Sequence, residues 1–191
     1  MHQVLLLALC CGNLLATPVL AQPVRYTLDP DHSFVHFEVQ HFGTSTSRGR
    51  FGPIHGEVML DRTASRGEVG LRIATASVDT GLSVFNARLR EADLLASAEY
   101  PEAFFVARNI RFEAGRPVEV RGEFTLRGVS QPLSLHAINF ACRAVDGAPG
   151  TEVCGGDFQA ELLRSDFGAT FGLPLVGDHI RLLIQVEGRS R

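Results

Sequence analysis

Lysine and tryptophan are both missing from this 191-residue chain, and neither sign of charge is in real surplus. The 18 basic residues, all arginine, nearly balance 21 Asp and Glu. Such a balance sets up no field to attract nucleic acid or an anionic membrane surface. Catalytic signatures are missing too: there is no Gly-x-Ser-x-Gly elbow, no His-Glu-x-x-His pair and no phosphate-binding glycine loop. Carboxylates are dispersed along outward strand positions, where a solvated surface accounts for them. No catalytic residue is assigned, and the chain reads as a non-enzyme.

Long apolar runs are also scarce, and the one candidate is broken. Val4–Leu9 is uninterrupted aliphatic, but Gly12, Asn13 and Pro18 interrupt its continuation. A membrane anchor needs about 18 continuous apolar residues, so a span is disfavoured. Val19 and Ala21 are small enough for the −3 and −1 subsites of a signal peptidase, which predicts a signal peptide over residues 1–21 and a mature domain over 22–191. The leader lacks Lys and Arg, and Leu9 before Cys10 argues against a lipoprotein. The mature protein is expected in the periplasm or secreted, with no integral span.

Of four cysteines, Cys10 and Cys11 leave with the leader. Cys142 and Cys154 flank the turn-rich stretch 146–150, and an oxidising compartment favours a disulfide between them. Their spacing matches no zinc pattern. Histidines are no better arranged for a metal. His32 and His36 lie four apart on a predicted strand, about 13 Å between Cα atoms, too far for zinc bonds near 2 Å. His41, His55, His136 and His179 are scattered, so no metal ligand is assigned.

What is present in abundance is alternation. Val118 to Leu126 alternates apolar and polar, as do Val69, Leu71 and Ile73, and Val35, Phe37 and Val39. Phe104, Val106, Ile110 and Phe112 share one parity, with Arg108 as its exception; Ile180, Leu182, Ile184 and Val186 do the same near the end. A period of two is that of a half-buried strand. Turn residues separate these runs, notably Arg66-Gly67, Gly115-Arg116-Pro117, Arg127-Gly128 and Gly177-Asp178. About eight strands on short connections predict an all-β antiparallel domain. Ser83 to Leu95 breaks the rhythm at helical spacing, with Ser83 as the expected N-cap. Alternation alone leaves sandwich and barrel open. Thirteen Phe without Trp suit an interior for hydrocarbon, and equally an ordinary core.

Seven blocks then resemble one family. They are Tyr26-Thr-Leu-Asp29-Pro-Asp-His32-Ser33, His41-Phe-Gly43 with Arg48-Gly49-Arg50-Phe51, Ser77-Val-Asp79-Thr80, and Tyr100-Pro101-Glu-Ala-Phe104. Gly122-Glu-Phe-Thr-Leu126-Arg127-Gly128-Val129-Ser130-Gln131-Pro132-Leu133, Arg164-Ser165-Asp166-Phe167-Gly168 and Val176-Gly177-Asp178 complete them. In this order they resemble the YceI family from Arg25 to Glu187. The resemblance implies an extended eight-stranded antiparallel lipocalin-like barrel with one short helix. It also implies a pore holding an isoprenoid lipid, a polyprenyl chain or a quinone, with no other cofactor.

Pore-lining candidates are then Val35, Phe37, Val39, Leu71, Ile73, Phe104, Val106, Phe124, Leu126 and Ile184. Arg88 and Arg164 are head-group candidates, against the plainer reading of a solvated charge or a pair with Glu91 or Asp166. Family members carry Asp-x-His-Leu and Ser-x-Asp-Phe-Phe-Asp before the Tyr-Pro; here Arg88, Leu94, Leu95 and Ala96 depart from that pattern. Two alternatives stay open: a periplasmic hydrolase using the histidines, and a stress-related partner protein with a filled barrel. The oligomeric state is left open, a homodimer included.

Overall fold

The structure, a computed structural model, describes residues 22–190; the signal-peptide reading for residues 1–21 lies outside them. Ten strands run in order: β1 (Val24–Leu28), β2 (Phe34–His41), β3 (Ser45–Phe51), β4 (Ile54–Asp61), β5 (Arg66–Ala74), β6 (Glu102–Glu113), β7 (Arg116–Leu126), β8 (Val129–Ala144), β9 (Glu152–Leu163) and β10 (Val176–Ser190). Among the described residues a single α-helix, α1 (Ser83–Leu89), interrupts them between β5 and β6.

All pairings between these strands are antiparallel, and β1 contacts both β4 and β10, which closes the ring β1-β4-β5-β6-β7-β8-β9-β10. β2 continues the path of β1 along β10, and β3 lies beside β2. Counting β1/β2 and β3/β4 as interrupted strands gives an eight-stranded barrel, which decides between barrel and sandwich. The interruption has a local cause. At Asp29-Pro30-Asp31 the Asp29 carboxylate accepts the Asp31 N–H at 2.9 Å and contacts the His32 ring at 3.0 Å. Ser33, fully buried, ties this kink to β10 by donating to the Glu187 carbonyl and accepting its N–H.

The two barrel ends are built differently. At the disulfide end, short turns at 62–65, 114–115 and 145–151 join the strands, and Cys142 bonds Cys154 directly across β8 and β9. At the helix end lie the β2–β3 turn, the connection 75–101 carrying α1, the β7–β8 turn and the connection 164–175. Arg127 and Gly128 form that β7–β8 turn with φ of 52° and 72°, the twist that suits a two-residue hairpin. Gly128 is required twice over, because a Cβ there would sit 2.9 Å from the Tyr100 ring.

Two expectations need correction. The helix is shorter than Ser83–Leu95 and is not capped by Ser83; Leu82 is the cap residue, without a side-chain bond. Its positions carry no buried residue, so apolar spacing there did not mark a core face. Phe104 and Val106 point outward, at 42% and 52% exposure, and do not line the interior. A β-bulge between Ala107 and Asn109 shifts the register at Arg108, the residue that broke the parity in the sequence. Before the bulge Ala103, Phe105 and Ala107 face in; after it Ile110 and Phe112 do. One extra residue moves a strand's apolar set to its other face.

Candidate ligand site in the barrel interior

One apolar cluster runs through the barrel. Val35, Ile73 and Ile184 are buried in it, and Phe37, Leu71 and Phe124 pack against it while keeping part of their surface exposed. Val39 and Leu126 are half-buried toward the helix end and stand outside the cluster. Residues outside the pore-lining candidates complete it, chiefly Phe105, Phe51, Leu162 and Ile180. For Phe105 the only signal was the Arg108 exception.

Several inward side chains keep part of their surface exposed. Such residues recur along the barrel, from Phe140 and Val186 toward the disulfide end to Phe37, Leu162 and Ile180 toward the helix end. Between them Ala107 and Ala160 occupy inward positions with minimal bulk. At the helix end Phe167, 2% exposed, stands edge-on to Phe124 at 5.5 Å between ring centroids. Around that end Phe42, Leu82, Val84, Phe85, Phe171 and Leu175 are exposed.

Neither head-group candidate has a free cation. Arg164 is buried and donates to four backbone carbonyls, those of Ala169, Phe171, Val176 and Gly177, at 2.6–2.9 Å. Burial pulls its pKa below the ordinary arginine value. It pins the connection 164–175 to β10 and cannot greet a ligand, which corrects its assignment; it is not paired with Asp166 either. Arg88 sits above the Phe171 ring at 4.1 Å, forks onto Asp93 at 2.6 and 2.7 Å, and also reaches Glu91 at 2.8 Å. The Asp93 bond pushes the Arg88 pKa up and holds the Asp93 carboxyl low. The Glu91 pair is therefore formed, with Asp93 as its stronger competitor.

Among the described residues, two groups bring potential metal-binding atoms within 4.8 Å of one another: Asp29 with His32 and Glu187, and Cys142 with Glu152 and Cys154. The second has its sulfurs committed to each other. In the first, the hydrogen bond to Asp29 raises the His32 pKa, so the pair serves the β1–β2 kink. No helix among the described residues is long and apolar enough to cross a membrane.

Comparison with known proteins agrees with this architecture. A YceI-like domain matches residues 26–188. Protein YceI of Salmonella arizonae is 31% identical over 186 residues, covering 96% of each chain, and that of Salmonella heidelberg is equally similar. Among solved structures, Burkholderia cenocepacia BcnA has a TM-score of 0.66 at 22% identity, covering 84% of this chain and 98% of its own. A polyisoprenoid binding domain from Saccharophagus degradans, implicated in plant cell wall breakdown, has a TM-score of 0.62 at 19% identity, covering 88% and 99%. The barrel, its closure and the match across residues 26–188 place the chain in the YceI family.

Proposed function

We propose that this chain is an exported, non-enzymatic binding protein that carries an isoprenoid lipid, a polyprenyl chain or a quinone, inside its barrel. The observation that carries the reading is the continuous apolar cluster along the barrel interior, several of whose inward side chains keep part of their surface exposed. The neighbour from Saccharophagus degradans, described as a polyisoprenoid binding domain, supports the same cargo class. Export is supported by the leader-like first 21 residues and by the Cys142–Cys154 bond, which suits an oxidising compartment.

The energetics fit a carrier. Each CH₂ removed from water is worth about 0.8 kcal/mol, so a chain of many carbons needs enclosure along its length. With Arg164 held in the wall and Arg88 neutralised by two carboxylates, recognition rests on the hydrocarbon more than on a charged head. Mass spectrometry of an organic extract from natively expressed protein tests this. A stoichiometric isoprenoid is expected; repeated preparations holding none would overturn the proposal.

A further inference from the structure

The barrel wall opens along one seam. β8 and β9 pair from Ala144–Glu152 as far as His136–Gln159 and then part: beyond that point β8 pairs only with β7 and β9 only with β10. Two adjoining grooves, about 630 and 260 Å³, run along the parting and share Pro132, Leu133 and Glu161. Their outer rim is polar, with Ser134, His136, Gln159 and Glu161. Their depths reach Leu133, Ala160, Leu162 and Phe167, which belong to the apolar inward set or close the barrel's helix end.

The parting has identifiable causes. Pro132 lacks an N–H, and proline inside a strand is confined to edges and bulges. A bulge between Ala137 and Asn139 turns β8 just where pairing stops. On the other side, β9 is drawn to β10. Arg164 grips carbonyls at 176 and 177, and Ser165 donates from its N–H and Oγ to Asp178 at 2.9 and 2.6 Å. The opening is also bounded. His136–Gln159 closes it on one side, and on the other Arg127 reaches across from the β7–β8 turn to the Phe167 carbonyl at 3.0 Å. The same guanidinium holds the carbonyls of Ala92 and Leu94, both at 2.7 Å.

Elsewhere the wall is filled. β5 and β6 also part, past Val69–Ala107, but there the Ile110 side chain packs onto Gly67 and Arg108 approaches Glu68 at 3.7 Å. The helix end is plugged by Val78, Ala96, Phe167 and Ala169, all buried. At the disulfide end, Tyr26 is buried with its hydroxyl on Glu152.

We propose that the β8–β9 parting is a side door through which the hydrocarbon chain enters and leaves, with Arg127 as its latch. This rests on the carrier reading above. Ser134 and Glu161 would face each other if the ladder continued in register, so S134C/E161C allows a short cross-link containing a reducible disulfide over the door. Uptake and release of tritiated geranylgeraniol are then timed on the full mature chain, cross-linked and not. Cross-linking is expected to slow both rates at least tenfold with little change in Kd, and reductant to restore them; the unaltered chain receives the same reductant as control. R127Q is expected to speed both rates several-fold. Equal rates with and without the cross-link would overturn the door while leaving the carrier reading intact. Absence of geranylgeraniol binding in every form would instead overturn the carrier reading, and the door with it.

Discussion

One hairpin, β8–β9, is held in opposite ways along its length. Toward the disulfide end its strands pair from Ala144–Glu152 inward, and Cys142 and Cys154 are joined across them. Toward the helix end the same two strands separate, and each is fastened to its outer neighbour. The difference is one of partners. Near the disulfide, β8 has left β7 and is tied to β9 by the ladder and a covalent bond, while β9 keeps its pairing with β10 throughout. Near the helix, Arg164 and the Ser165–Asp178 contact point away from it. A closed barrel can thus keep one wall segment loose without losing closure, because the ring still passes from β8 to β9 through their paired half.

Removing the staple gives the largest expected change. Cys142→Ser with Cys154→Ser frees a loop of sequence separation 12. Chain entropy puts the loss at about 3 kcal/mol, read as a lower midpoint in denaturant titration. Hydrogen exchange should rise most at the paired half of the hairpin, erasing its contrast with Val129–Leu135. If exchange there stayed slow, the rungs rather than the sulfurs would maintain the contrast.

Arg164→Met attacks the other side. It leaves four carbonyls without their charged donor, and hydrogen bonds to charged groups are worth about 2 kcal/mol each before water and relaxation recover part of it. A net loss of about 2 kcal/mol is expected, with new proteolytic sensitivity confined to 164–175. Cuts appearing first at the disulfide end would contradict the assignment of Arg164 as that connection's anchor.

Much of this contrast is legible in the sequence, and the part that is not has a physical reason. Alternation marks the strands, and the turn residues flanked by Cys142 and Cys154 mark the bridge, because both are local patterns. Val35, Ile73 and Ile184 are buried where their alternation places them, for the same reason. Phe104 and Val106 failed because parity cannot be carried through a bulge, and Arg108 was the visible warning. Arg164 failed for a different cause. A buried guanidinium satisfied by main-chain carbonyls leaves no partner residue in the sequence to find. Where a strand ladder stops is equally hidden, since Pro132 marks an edge only once its neighbours are known.

Solution pH weights the two ends differently, with the smallest expected effects. Toward the helix end, several carboxyls sit below their usual range. For Asp178, burial alone would raise the pKa, but the two bonds from Ser165 and the charge of Arg164 outweigh it. Asp93 is held low by Arg88, Asp79 by the Gly81 N–H and Asn86, and Glu38 by Arg48. A depressed carboxyl stabilises the fold above its unfolded pKa, about 4, and that contribution fades as pH falls through the folded value. Tyr26 at the disulfide end works in the opposite direction. Burial first, and then its bond to Glu152, raise its pKa, so its contribution is complete below about 10 and is lost as pH climbs toward the folded value. Glu119, nearer the disulfide end, is held low as well by Arg121 and Arg111. With more depressed carboxyls toward the helix end, acid should loosen that end more, with early pepsin cuts in 75–101 and 164–175. Asp178→Asn should remove part of that acid sensitivity, and Tyr26→Phe should flatten the alkaline limb of a stability profile while leaving the acid limb alone. An acid limb that moved with Tyr26→Phe would show the two ends to be coupled through the barrel rather than held independently.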